Sequence, residues 1–167
     1  HNRREPTAYF VPKSGIGRLL TASKSPKSVG VLGLGVGTMA AYAGSADRFD
    51  FFEINPQVVE VARSQFSFLD DAVGDVKTHL GDGRLLLEKW VDTAFDIIAV
   101  DAFTGDAIPA HLITREAIDI YWKKLKTYGV LAINISNHHA DLKRVLAGHC
   151  TRLGLSAARV RWRAPSV

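Results

Sequence analysis

One cysteine, Cys150, in 167 residues excludes an internal disulfide, and no paired Cys/His spacing suggests a structural zinc. The lone thiol reads as an inert side chain. No apolar run reaches the roughly 18 residues that a membrane-spanning helix needs, and no signal peptide opens the chain. Long Lys/Arg blocks are missing too, as are an RNP-type aromatic motif and a helix-turn-helix signal. The net charge of +4 gathers near the end, at Arg152, Arg159, Arg161 and Arg163. These arginines alternate with Val160 and Trp162, so they read as the solvated face of a strand, and no nucleic-acid partner is expected. Methionine is nearly absent. The only one, Met39, lies inside the chain, and the opening HNRREPTAYF reads as mid-protein, so a fragment of a longer protein is expected.

What is present suits one globular unit: 47% apolar and 23% charged residues can build a core without covalent help. Apolar runs at 29–34, 49–54, 76–80, 95–100 and 130–135 alternate with helical spacing at 38–43, 57–68, 84–90, 115–125 and 141–153. That alternation predicts an α/β, Rossmann-like domain with a mostly parallel sheet and helices on both faces. Asn55-Pro56 supplies an N-cap followed by a proline at the first helical position, Thr114 caps a later helix, and Gly129 is expected to end the turn after it. Residues 158–162 are expected to form a last strand. The first 28 residues, punctuated by Pro6, Pro12, Gly15, Gly17 and Pro26, read as an arm with a short helix, ahead of a nucleoside-binding domain over 29–167.

The chemistry gathers where strands end. VGVLGLGVGTMA, residues 29–40, runs a buried strand into Gly33, Gly35 and Gly37 and then into a helix. Glycine lets the backbone turn sharply there and come close to a ligand. Glu53 closes the second strand, 20 residues past Gly33, the separation at which an acid takes ribose hydroxyls. Asp82, followed by Gly83, stands just past the third strand, and Asp101 just past the fourth. In open α/β sheets the ligand crevice lies outside the carboxyl ends of the strands, so these residues are expected to meet. The run Gly35-x-Gly37-x-x-Ala40 also satisfies a dinucleotide fingerprint. Asp82 turns the reading toward an adenosyl sulfonium, which carries positive charge and no phosphate and gains from an acid beside the adenine amino group. No prosthetic group is expected. The co-substrate is S-adenosylmethionine or its decarboxylated form.

The ordered set GLGVGT, EINPQVVEVAR, GDGRLLL, FDIIAVDAF and LKTYGVLAINISN resembles the spermidine/spermine synthase family, within the class I S-adenosylmethionine-dependent methyltransferase fold. The branch it most resembles is the soluble part of membrane-fused, spermidine-synthase-like proteins. The resemblance implies an aminopropyltransferase that moves the aminopropyl group of decarboxylated S-adenosylmethionine to a diamine such as putrescine. It implies ribose binding by Glu53, adenine contact by Asp82, handling of the attacking amine by Asp101, and a second gate-loop acid at Asp106.

This chain also departs from the family. Thr38 is read at the place of the aspartate in the family's G-G-G-D-G turn, and four residues separate Asp101 from Asp106, a longer spacing than the family's. Asn55 replaces an aspartate, and the family's N-terminal β-hairpin has no counterpart. A methyltransferase and a non-catalytic nucleoside-binding domain are therefore the alternatives. His111 reads as a substrate contact or a surface side chain, and His138-His139 as structural or solvent-facing rather than metal ligands. Tyr9 and Ser14-Gly15 are candidates for a lid, because an arm with no core of its own must lie on something. An unfinished sheet edge predicts a homodimer or a swapped strand. The expected location is cytoplasmic, as a free enzyme or as the soluble part of a membrane-anchored protein.

Overall fold

Five short apolar runs become five strands of one sheet. The computed structural model describes residues 5–92, 94–103, 108–136 and 142–162. Helix α1 (Gly15–Ala22) precedes β1 (Ser28–Leu32), and a 3-10 turn (Thr38–Tyr42) leads into β2 (Arg48–Glu53). Then follow α2 (Pro56–Gln65), β3 (Asp75–Leu80), α3 (Gly83–Glu88) and β4 (Phe95–Val100). The chain continues through α4 (Arg115–Lys124), β5 (Leu125–Ile133) and α5 (Leu142–Leu153). The strand order is β3-β2-β1-β4-β5 and every pairing is parallel. The order reverses between β1 and β4, which places the switch point beside the glycine turn.

Local chemistry sets the helix starts. Ser14, Asn55, Asp82 and Thr114 each accept a backbone N–H from the first turn of the helix that follows, and Pro56 takes the first position of α2. The two-residue period of the central strands then sends side chains to opposite faces. Val29, Val31, Phe49, Phe51, Ile97 and Ala99 pack on one side with Leu20, Met39 and Ala62. Leu32, Phe52, Ile98 and Val100 pack on the other with Leu87, Ile118 and Tyr121. Burying one such side chain contributes about 1.5–3 kcal/mol, which is why the strand interiors tolerate almost no polar residue. Of the described helices, none is long and apolar enough to cross a membrane.

Two expectations are corrected. Gly129 does not end a turn but lies inside β5, where Phe95 pairs with Leu125 and Ile97 with Val130. The surplus residues bulge from the ladder, with Tyr128 at φ 67° and wholly exposed at the bulge. The strand expected at 158–162 is not formed, since residues 155–162 carry no helix or strand. A strand needs an edge to pair with, and this segment runs beside α1 instead. A Cβ placed on Gly15 would lie 3.3 Å from the Val160 Cβ.

At the base of the sheet, Lys27 and Asp47 form a buried ion pair just ahead of β1 and β2. Burial pushes the Asp47 carboxyl up. Hydrogen bonds from the Lys27 ammonium, Ser25, and the backbone of Gly44 and Lys27 outweigh it and bring the pKa down to about 2. A carboxyl lowered on folding stabilises the native state above its unfolded pKa, and the gain is lost as pH falls through the folded value. We expect about 2 kcal/mol of stability to disappear between roughly pH 4 and pH 2. Asp47→Asn should cost about 3 kcal/mol at neutral pH, because it strands a buried ammonium. Urea melts of both proteins across that range test this, and equal acid slopes would remove Asp47 as the cause.

Candidate active site

The parallel sheet brings the expected acids to one edge. Glu53, Asp82 and Asp101 stand at the carboxyl ends of β2, β3 and β4, with Gly33 between Glu53 and Asp101 at the end of β1. With strands about 4.8 Å apart, Asp82 and Asp101 are separated by three spacings, roughly 14 Å, which leaves room for an extended ligand. Asp106 and His138-His139 lie outside the described residues.

Gly33 is the tightest point. It adopts φ 98°, and a Cβ there would fall 2.6 Å from the Asp101 carbonyl oxygen, so only glycine fits. Gly35 and Gly37 are also left-handed, at φ 54° and 82°, which completes a turn whose Leu34 N–H points to the Glu53 carboxylate at 3.0 Å. The other Glu53 oxygen accepts from Asn55 N–H at 2.8 Å. A carboxylate offers about four acceptor positions, so this buried acid holds the turn in place and keeps capacity for two hydroxyls.

Asp82 divides its oxygens. One caps α3 by accepting from Leu85 N–H at 3.0 Å, and the other faces His111 Nε2 at 3.4 Å. His111 thus reaches the crevice from the segment between β4 and α4. Gly83 has a packing reason of its own. A Cβ there would press on Leu32 and Phe52, at 3.0–3.2 Å, so glycine lets α3 sit directly on the strand ends.

Asp101 differs from the other acids. Burial raises its pKa to about 6, against the opposing hydrogen bonds from Asn134 and Tyr9. Asn134 Nδ2 donates to Asp101 Oδ1 at 2.7 Å, and its own N–H extends the ladder to Val100 O at 2.9 Å. Asn134 escaped the sequence reading, although it obeys the same rule as the acids, a polar residue directly after an apolar strand. Ile54 was missed as well. It is 65% exposed just after Glu53, and with exposed Leu80 and Leu85 it offers apolar surface near the strand ends for a ring.

The departure read at Thr38 moves. Thr38 is buried, at 2% exposure, inside the 3-10 turn and away from the crevice. Counted on Gly33, Gly35 and Gly37, the aspartate of G-G-G-D-G falls on Val36, which is half-buried between the last two glycines. No basic side chain stands in the 33–37 turn, and the turn leads into a short 3-10 helix rather than the α-helix whose N-terminus holds a pyrophosphate.

No family model matches the chain. By sequence it is 30% identical over 120 residues to the polyamine aminopropyltransferase of Vibrio vulnificus, a match covering 69% of this chain and 40% of that protein. It is 27% identical to the spermidine synthase of Solanum lycopersicum, over 86% of this chain and 44% of the relative. It is 28% identical to putrescine N-methyltransferase 2 of Nicotiana attenuata, over 83% and 39%. The chain thus spans less than half the length of these relatives. Among solved structures, the probable spermidine synthase of Corynebacterium glutamicum superposes with a TM-score of 0.65 at 25% identity, over 78% of this chain and 48% of that one. Human methyltransferase-like protein 13, solved with SAH, gives 0.63 at 24% identity, over 80% and 64%.

We expect Glu53→Gln to weaken nucleoside binding by about 1–3 kcal/mol. Because the amide can accept on only one atom, it should also loosen the turn and lower Tm by a few degrees, roughly 2–4 °C per kcal/mol. Calorimetry with methylthioadenosine and a thermal melt test both, and unchanged affinity removes Glu53 from the ribose. With its five parallel strands, its glycine switch point and these likenesses, the chain has the class I Rossmann-like methyltransferase fold, and its relatives by sequence are aminopropyl- and methyltransferases.

Proposed function

We propose that the chain binds an S-adenosyl nucleoside across the ends of β3, β2 and β1, and that Asp101 presents an amine to its sulfonium. The reaction is transfer of the aminopropyl group of decarboxylated S-adenosylmethionine to a diamine acceptor such as putrescine. The observation that carries this reading is Asp101 itself, half-buried beside the glycine turn with its pKa raised to about 6. Such a carboxylate is still ionised at neutral pH, yet accepts a proton more readily than an ordinary aspartate. The sequence relatives support the substrate class.

In this reading Glu53 takes the ribose hydroxyls, Asp82 the adenine amino group, and Ile54 a face of the ring. The acceptor arrives as an ammonium and donates to Asp101. Once a proton passes to the carboxylate, the nitrogen lone pair attacks the propyl carbon next to sulfur. The carbon–sulfur bond breaks with its electron pair going to sulfur, and neutral methylthioadenosine leaves. The leaving group is already activated, so positioning supplies most of the rate.

Val36 favours a second reading. An apolar side chain at the turn removes the acid that would hold the propylamine end, and one sequence relative is a putrescine N-methyltransferase. In that case the same crevice holds S-adenosylmethionine and Asp101 orients the amine for methyl transfer.

Asp101→Asn should lower turnover about 100- to 10,000-fold while methylthioadenosine affinity stays within about twofold. Wild-type kcat/KM should rise with pH through about 6 as the carboxyl ionises, and the variant should lack that limb. The assay follows methylthioadenosine release from decarboxylated S-adenosylmethionine and putrescine. A methylated amine from S-adenosylmethionine, with no such release, assigns the methyltransferase reading. Binding without turnover of either assigns a nucleoside-binding domain.

A further inference from the structure

We propose that His111 is a specificity-determining residue for the nucleoside, donating from Nε2 to a ring nitrogen beside the adenine amino group while Asp82 accepts from the amino group itself. The inference rests on the reading of Asp82 as the adenine's partner. It gives a purpose to a histidine that the amine-transfer steps do not use.

The fold presents His111 on a fixed backbone. It lies in a 3-10 turn, Ala110–Leu112, between β4 and α4. Ile108, Leu112 and Ile113 are buried in the core that contains Leu32, Ile98 and Ile118. Leu112 N–H bonds Pro109 O at 3.0 Å, and Ile113 N–H bonds Ala110 O at 3.1 Å. From α5, His149 Nε2 donates to Ile113 O at 3.1 Å. A turn pinned on these sides holds one side chain outward, and that of His111 is 51% exposed.

Its Nε2 stands 3.4 Å from Asp82 Oδ2. A well-formed N–H···O bond spans roughly 2.7–3.2 Å, so the imidazole lies beside the carboxylate without its N–H being engaged there. An imidazole nitrogen facing a carboxylate oxygen carries the proton, because two lone pairs would repel. The other Asp82 oxygen is committed to Leu85 N–H, which leaves Oδ2 to a ligand. An acceptor and a donor thus stand side by side. Adenine offers the complementary pair, an amino donor with an acceptor ring nitrogen next to it. Hypoxanthine and guanine carry a carbonyl in place of that amino group, and its oxygen would face the Asp82 carboxylate with no proton between them.

The experiment uses the whole chain as wild type, His111→Ala and Asp82→Asn, the last keeping an oxygen to cap α3, each checked by circular dichroism. Calorimetry measures methylthioadenosine and its 1-deaza and 7-deaza analogues, each of which lacks one ring nitrogen beside the amino group. His111→Ala should weaken methylthioadenosine about 3- to 10-fold, the worth of one hydrogen bond. One of the two analogues should bind the wild type more weakly by a similar factor, and His111→Ala should no longer distinguish it from methylthioadenosine. Equal binding of all three nucleosides by the wild type overturns the proposal. So does a His111→Ala loss that persists undiminished with both analogues, since His111 would then act only by steadying Asp82. A loss of methylthioadenosine affinity in Asp82→Asn with none in His111→Ala sinks the proposal alone. Unchanged affinity in Asp82→Asn sinks the adenine reading of Asp82 and the proposal with it.

Discussion

The rest of the site depends on the close approach of Gly33 to the backbone of Asp101. No side chain fits between them, since a Cβ would lie 2.6 Å from a carbonyl oxygen. The Gly33 N–H bonds Phe52 O and the Asp101 N–H bonds Leu32 O, so the ladders of β1 with β2 and of β4 with β1 run one residue past the strands. Those bonds carry the parallel register into the turn, and with it the acids on both sides. Glu53 then reaches back to the turn through Leu34 N–H. The acids at the strand ends and the turn that separates them form one hydrogen-bonded unit.

Charge is handled differently at the two ends of the sheet. At the base, buried acids meet cations, Asp47 with Lys27 and Asp50 with Arg48. At the crevice, the groups facing Asp101 among the described residues are neutral, Asn134 and Tyr9. The two carboxyls therefore shift in opposite directions. Asp47 falls to about 2, where it serves structure, and Asp101 rises to about 6, where it can exchange a proton near neutral pH. The base holds two strand entries together through full charge. The crevice leaves Asp101 without a cationic partner among the described residues.

The arm belongs to this second economy of interactions. Its Phe10 packs partly buried against the core face of Leu20 and Met39, and its Tyr9 lies near the Asp101 carboxylate. Its anchor, Tyr42, belongs to the 3-10 turn that follows the glycines, so the arm and the glycine turn are tied through one short segment.

By itself the sequence determined the strands, the acids at their ends and the glycine turn between them. Continuous apolar runs, and polar residues where each run stops, are local patterns that survive without knowledge of neighbours. The fold class followed from their alternation, and Glu53, Asp82 and Asp101 from their place after Phe52, Leu80 and Val100. Tertiary structure alone decided what each of these residues meets. That Asp101 is desolvated, that Asn134 from just after β5 donates to it, and that Thr38 is buried depend on contacts between residues tens of positions apart. The same limit explains the strand expected at 158–162. Alternating arginines and apolar residues satisfy the pattern of a strand, but a strand forms only against a free edge, and where the tail runs is set by packing against Gly15 rather than by its own sequence.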